Sequence, residues 1–344
     1  MRLLQTMAGA QFGGAEAFFV RLAIALEKTD VEQQVIIREF RERRELLNAH
    51  GVDCIELPFG GALDLKTKFS ISKAIKKFQP DVVLTWMNRA TSKTPAGKGR
   101  FVKVARLGGY YDLKYYRDCD HLVGNTQDIV DYLIREGWPA DRAHYVPNFV
   151  SSNIVEPASR RDLSTPEEAP LILSLGRLHE NKAFDTLIHA LVQVPDAYLW
   201  IAGEGPLRQE LELLAEKLGV RPRVRFLGWR KDISALYAAC DVYVCPSRHE
   251  PLGNVVLEAW SHGRPVVAAK SQGPVSLIEH GNNGLLCDID DSAQMAKEIK
   301  EILFNQDVAQ DLAKGGWASY QKDFTEKVEV EKYLDFFEKV SKKV

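Results

Sequence analysis

The sequence predicts an α/β protein of two doubly wound domains, and three observations carry that prediction. Short β-branched runs alternate with amphipathic stretches over most of the chain, a polar proline-containing segment interrupts them near the middle, and a second alternating series follows. Strand–helix–strand repetition implies parallel sheets covered by helices on both faces. At 344 residues, with 45% hydrophobic and 27% charged residues, the chain is comfortable for two domains of ordinary size.

In the first half, strands are expected at Arg2–Met7, Gln34–Ile37, Asp53–Leu57, Val82–Thr85, Val102–Arg106 and His121–Gly124. Helical patterns fill the gaps; in Glu16–Glu27, Phe19, Leu22, Ala23 and Leu26 share one face. Residues 151–170 (SSNIVEPASRRDLSTPEEAP) have three prolines and no periodicity, which sets an interdomain linker there and a first domain over 1–150. Strands at Leu171–Leu175, Tyr198–Ala202, Arg223–Leu227, Val242–Cys245 and Pro265–Ala268 then build a second domain over 171–322. Phe324 to Val344 reads as one long helix with Tyr333, Phe336 and Phe337, and no strand follows it. Open α/β sheets bind ligands beyond the carboxyl ends of their strands, so two such domains facing each other are expected to enclose an interdomain cleft.

A net charge of −2 gives no reason to expect nucleic acid as a partner. The N-terminus, MRLLQTMAGAQFGGAE, has one arginine and a short apolar run, unlike a signal peptide. No apolar stretch reaches the roughly 18–20 residues that a bilayer crossing needs, so a cytoplasmic location is expected. Cysteines 54, 119, 240, 245 and 287 are odd in number and scattered, as reduced buried thiols would be. Cys240 and Cys245 have no comparable second pair with which to hold zinc.

Four segments can carry chemistry. In SRHEPLGNVVLEAWSHGRPVV (247–267), an apolar strand leads into a loop with Pro251 and Gly253, then into a helix for which Asn254 is a suitable N-cap. Glu250 on the loop and Glu258 one turn inside the helix can hydrogen-bond sugar hydroxyls, while the free N–H groups favour a phosphate. Two glutamates eight apart also arise by chance, and Glu258 can be read as an ordinary helix-start acid. In LSLGRLHENKAFD (173–185), Arg177 and Lys182 flank a loop at a strand's carboxyl end. An arginine fork and a lysine point charge suit a diphosphate and can neutralise a departing nucleoside diphosphate. The alternative is a pair of surface cations, which the dipole of the helix start disfavours. Gly13 and Gly14 in QFGGAE (11–16), and Gly203 and Glu204 in AGEGP (202–206), mark loops where a backbone can approach a ligand, each weak alone.

Glu-x7-Glu at 250–258 within PSRHEPLGNVVLEAW, GRL…K at 176–182, AGEGP, FLGW at 226–229 and Gly-Gly-Ala-Glu near the N-terminus together resemble the retaining glycosyltransferases of GT-B fold. The group in question is family 4, the glycogen synthase- and mannosyltransferase-like enzymes. The resemblance is dense over about 170–290 and looser before it. It implies two Rossmann-like domains facing a cleft, a nucleotide-sugar substrate such as a UDP- or GDP-sugar, and no cofactor or metal. It further implies that Arg177 and Lys182 hold the donor diphosphate and Glu258 the ribose. Glu250 and the backbone of Leu252, Gly253 and Asn254 would contact the donor sugar and phosphates, and Gly14 would approach the phosphate from the other domain. The last helix, 323–344, would cross back onto the N-terminal domain.

The chain departs from that pattern in two places. Many members carry a histidine after a first-domain strand, where this sequence has Arg106-Leu107-Gly108-Gly109-Tyr110-Tyr111, and Lys182 precedes Ala183 rather than the usual glycine. Asn88, Arg89 or Tyr110 are therefore the candidates for the sugar contacts of that histidine. With Glu250 and Glu258 read as donor-holding groups, no nucleophile and acid pair of the glycosidase kind is in view. A same-face displacement is expected, the departing phosphate accepting the acceptor's proton. Residues 66–78 (KTKFSISKAIKKF) form a basic amphipathic helix, readable as an ordinary covering helix or as one that lies on an anionic membrane surface. Lys93, Lys98, Arg100 and Lys103 add positive charge. Together with RLGGYYDLKYYRDCDHLVGNT (106–126), which looks like bacterial envelope enzymes, this fits a glycan or lipid-linked acceptor such as a lipopolysaccharide core, met at the inner face of the membrane. The competing readings are a GT-B nucleotide-sugar 2-epimerase, a non-catalytic sugar or nucleotide binder, and a dinucleotide-dependent oxidoreductase, the last opposed by the lack of G-x-G-x-x-G after any strand.

Overall fold

A computed structural model of the chain describes residues 1–11, 13–61, 63–150 and 155–342. It divides into two compact units, Met1–Phe149 with Glu326–Val344, and Val150–Thr325. Phe12 of the QFGGAE motif and residues 151–154 of the expected linker lie outside the described residues.

The first unit runs β1 (Arg2–Met7), α1 (Gly14–Glu27), β2 (Glu32–Arg38), α2 (Arg41–Ala49), β3 (Cys54–Leu57), α3 (Leu65–Phe78), β4 (Val82–Trp86), α4 (Met87–Lys93), β5 (Val102–Leu107), β6 (His121–Gly124), α5 (Gln127–Arg135) and β7 (Ala143–Tyr145). Its strands form one parallel sheet in the order β3-β2-β1-β4-β5-β6-β7. The second unit runs β8 (Leu171–Leu175), α6 (Phe184–Val192), β9 (Tyr198–Ala202), α7 (Arg208–Lys217), β10 (Val224–Gly228), α8 (Ile233–Ala239), β11 (Val242–Cys245), α9 (Asn254–Ser261), β12 (Val266–Ala269), α10 (Gln272–Leu277), β13 (Leu285–Cys287), α11 (Ser292–Phe304) and α12 (Gln306–Asp323). Its parallel sheet has the order β10-β9-β8-β11-β12-β13. The central strands β1, β4, β8 and β11 are almost wholly buried, and β4, β8 and β11 read as largely apolar runs, while β1 also buries the polar Gln5 and Thr6. Strands β7 and β13 are three residues each and add to sheet edges, too short to show a period in sequence.

The last helix, α13 (Glu326–Ser341), groups with the first unit. Val330, Tyr333, Phe336, Phe337 and Val340 enter the same core as Phe18, Phe19, Trp86 and Phe149. Arg106, 2% exposed, donates from Nε to the Tyr333 hydroxyl at 2.8 Å and lies over the rings of Phe18 and Trp86. A buried guanidinium is tolerable only with such partners, so Arg106 fastens α13 and is a core residue rather than a ligand contact. His121 is likewise structural, with Nδ1 at 3.0 Å from His144 Nε2 at the starts of β6 and β7.

Residues 155–170, between the last strand of the first sheet and the first of the second, are fastened to the second unit. Ala158 N–H donates to the Ala235 carbonyl, Arg160 donates to Ala239 O and the Asp241 carboxylate, and Trp200 Nε1 donates to the Thr165 hydroxyl. One sequence expectation changes: Lys93 and Lys103 add no surface charge, because both are buried with their ammonium groups capped by carbonyls. Lys93 donates to Gly61 O and Asp64 O, and Lys103 to Thr91 O and Thr94 O. All five cysteines are free thiols; burial pushes Cys119, Cys240 and Cys287 up to about 12, and Cys54 and Cys245 up to about 11.

The packing of α13 sets a stability prediction. Phe337→Ala, which empties a fully buried site, is expected to cost about 3–5 kcal/mol. The neighbouring Glu338→Ala should stay within about 0.5 kcal/mol. Urea unfolding midpoints of the two variants check this.

Candidate active site

The strand order of the second unit places two loops side by side. The chain runs outward from β8 through β9 to β10, then returns to β11 on the other flank of β8. Neighbouring loops therefore leave β8 and β11 in opposite directions, the geometry at which open α/β sheets hold ligands. The β8 loop brings Arg177 and Lys182, and the β11 loop brings Glu250. Lys182 Nζ pairs with the Glu250 carboxylate, which is 8% exposed. Arg177 is exposed and has no ion-pair partner among the described residues. The structure thus brings Lys182 and Glu250 together and leaves Arg177 open beside the carboxyl end of β8.

Sequence reasoning missed the residue that ties these loops. Arg248 pairs with Asp185 at 2.6 Å and Asp290 at 2.7 Å, and donates to the Glu180 carbonyl at 2.7 Å. His249 N–H adds a bond to Asn181 O at 3.2 Å. Arg248 lies two residues before Glu250, and its partners are far apart in sequence, so no local pattern could reveal it. Ala183 sits in the left-handed region at φ 49. That conformation costs an alanine about 1–2 kcal/mol relative to glycine, so the departure from the family's glycine keeps the backbone shape at some strain.

The glycines of AGEGP are explained by packing. A Cβ on Gly203 would lie 1.8 Å from the Gly176 carbonyl oxygen, and one on Gly205 would lie 2.3 Å from Leu178 O. Gly203 N–H is bonded to Gly228 O at 2.8 Å, which gives it a structural role at the ends of β8, β9 and β10. Glu204 is exposed and pairs with Arg208 at 3.0 Å.

At α9 the N-cap is Gly253, at φ 69, and Asn254 is the first helical residue instead of the cap. Gly273, at the start of α10, packs against the 250–253 loop and donates its N–H to Glu250 O at 2.7 Å. Leu252 and Asn254 are half-buried. Glu258, also half-buried, accepts from the Tyr237 hydroxyl at 3.4 Å. Beneath it His262, whose imidazolium form is disfavoured first by burial, stacks on the Tyr237 ring.

In the first unit, Gly14 opens α1 with nothing within 4 Å of where its Cβ would be. Packing therefore does not demand glycine there. Gly13 differs: its Cβ would collide with the Glu16 carboxylate, which is buried and accepts from Ala10 N–H at 2.7 Å. Glu16 is thus the inner brace of this loop. Asn88 accepts from the Tyr116 hydroxyl, and Arg89 is exposed with one long bond to Phe59 O at 3.4 Å. Tyr110 turns to α5, donating to Asp128 and meeting the Tyr132 ring edge-on. Its side chain joins α5 and not Asn88.

Comparison with known proteins accords with this geometry. A family model described as glycosyl transferases group 1 matches residues 155–317, and one described as Glycosyltransferase Family 4 matches residues 12–153. The lipopolysaccharide core biosynthesis glycosyltransferase LpsE of Rhizobium meliloti (strain 1021) is 39% identical over 94% of this chain and 95% of its own length. LpsD of the same organism is 35% identical over 95% of each. Among solved structures, Anabaena Alr3699/HepE in complex with UDP-glucose superposes with a TM-score of 0.83 at 22% identity, covering 98% of this chain and all of that one. WaaG, a glycosyltransferase involved in lipopolysaccharide biosynthesis, gives 0.71 at 20% identity, with 98% and 99% covered. The fold of two Rossmann-like units is the GT-B fold, and the chain belongs to the group 1 and family 4 glycosyltransferases.

Proposed function

We propose that this enzyme is a retaining, metal-independent hexosyltransferase that moves a sugar from a UDP- or GDP-sugar to a glycan or lipid-linked acceptor in lipopolysaccharide core synthesis. The observation that carries the donor half is the Lys182–Glu250 pair beside the open Arg177 at the carboxyl ends of β8 and β11. The acceptor half is carried by the likeness to LpsE and LpsD over nearly their whole length, and the donor class by the likeness to a protein solved with UDP-glucose. A cytoplasmic site of action fits a chain in which no described helix is long and apolar enough to cross a membrane.

In this reading Arg177 and Lys182 hold the diphosphate, and Glu250 fixes Lys182 and reaches the donor sugar. The N–H groups of Leu252, Gly253 and Asn254 at the start of α9 face the phosphates, and Glu258 takes the ribose. Gly13 and Gly14 offer the open start of α1 to the donor, and Asn88, Arg89 and Tyr110 are candidates for sugar or acceptor contacts. As the bond from the anomeric carbon to the phosphate oxygen breaks, negative charge grows on the leaving diphosphate. Two fixed cations stabilise that charge without reorganising. The acceptor oxygen bonds to the anomeric carbon on the same face, and its proton passes to the departing phosphate oxygen.

Transfer assays with UDP- and GDP-sugars and a lipopolysaccharide-core acceptor test this. The product should keep the donor's α configuration by NMR, and EDTA should leave the rate unchanged; a β product or a strict metal requirement would contradict the mechanism. Lys182→Ala should lower kcat by about 10²–10³-fold, the usual effect of removing one charge-stabilising donor.

A further inference from the structure

The helix α3 buries Thr67, Ile71, Ile75 and Phe78 against the first unit's sheet. Its outer face carries Leu65, 70% exposed, Phe69, 74% exposed, and one turn before the helix Leu63, 93% exposed. Lys66, Lys68, Lys73, Lys76 and Lys77 are exposed along the same helix, and α3 contains no Asp or Glu. Positions 65, 69, 73 and 76 follow one another at helical spacing, so apolar and cationic groups share a single stripe. The turn that presents Leu63 is held from inside by the buried Lys93, through Gly61 O and Asp64 O. Asp64, half-buried, is engaged as the helix cap, accepting from Thr67 N–H and Gly60 N–H. Beyond the second half of α3, a cavity of about 420 Å³ separates Lys76 from Arg100. Exposed Lys98 and Arg100 continue the positive charge there.

Three bulky apolar side chains in water, rimmed by lysines without a carboxylate, mark an interaction surface. A second copy of the chain would set lysines against lysines. Nucleic acid would leave the leucines and Phe69 without a use. An anionic bilayer satisfies both halves: acyl chains take the apolar groups and phosphates take the ammonium groups. We infer that the outer face of α3, with Leu63, Leu65 and Phe69 inserted and its lysines on the headgroups, is the surface by which this enzyme docks on an anionic phospholipid membrane. This deepens the reading of a membrane-borne acceptor, and its test is separable from that reading because docking needs neither donor nor acceptor.

The test is co-sedimentation of the full chain with vesicles of phosphatidylcholine alone and of phosphatidylcholine with phosphatidylglycerol. The wild type should bind the anionic vesicles, ignore the neutral ones and be released by salt. Leu65→Ser/Phe69→Ser, and separately Lys73→Gln/Lys76→Gln/Lys77→Gln, should each weaken binding about tenfold or more. The thermal shift induced by whichever of UDP and GDP binds the wild type should remain in both variants, which shows the fold and donor site to be intact. Wild-type binding by either variant, or no preference for anionic vesicles, overturns the inference. So does conversion of a wild-type dimer to a monomer by Leu65→Ser/Phe69→Ser, which would make the stripe a protein interface. A wild type shifted by neither UDP nor GDP would count against the donor reading and leave the vesicle result to stand by itself.

Discussion

The reversal of strand order between β8 and β11 is the constraint on which the site depends. A parallel sheet places every strand's carboxyl end on one edge, and only at the reversal do adjacent loops diverge and leave room between them. Arg177 and Lys182 occupy one of those loops and Glu250 the other. Residues 68 positions apart thus meet as a largely buried ion pair. A buried pair of this kind is weak support for stability, because desolvation offsets much of the attraction. Its value is positional: the carboxylate fixes the ammonium group at the carboxyl end of β8, where the proposed function needs it for a diphosphate. Arg248, bound to Asp185 and Asp290, keeps the two loops in register.

The first unit solves the matching problem differently. Its order reverses between β1 and β4, and the loop after β1 is shaped by Glu16 within and Arg43 outside. Arg43 is buried and donates to Gln11 O at 3.1 Å, with burial pulling its pKa down. A Cβ at Gly13 would displace the Glu16 carboxylate from its bond to Ala10 N–H, whereas one at Gly14 would meet nothing. Adjacent glycines therefore have unlike causes, one of packing and one that packing leaves open to a ligand.

Much of the architecture was legible because the central strands are covered on both faces and so are mostly apolar along their length. Arg2–Met7, His121–Gly124, Leu171–Leu175, Tyr198–Ala202 and Val242–Cys245 occur with the bounds expected of them. Strands β7 and β13 were illegible because three residues make no period. Over 155–170 the polar composition showed a strand-free connection but not its anchoring to the second unit through Arg160 and Thr165, which depends on tertiary partners. In the site, the charged loops were legible from their place after apolar strands. Arg248, the bracing role of Glu16 and the N-cap at Gly253 were not, since each depends on partners or a backbone conformation set by tertiary structure. At Gly203 the glycine has a packing cause as well, since a Cβ there would meet the Gly176 carbonyl.

Charge is arranged in three places with different consequences. Arg106, Lys93 and Lys103 are interior and fasten elements; the lysines of α3 are wholly outside; Lys182 is between, shielded by Glu250 while Arg177 beside it stays open. The decisive measurement is calorimetric titration of UDP and GDP into the wild type and Lys182→Ala at fixed salt. The geometry predicts that one nucleotide binds the wild type and that its Kd rises about tenfold or more in the variant, about 1.4 kcal/mol. Equal affinities in the two proteins would contradict the placement of the donor diphosphate at the reversal between β8 and β11.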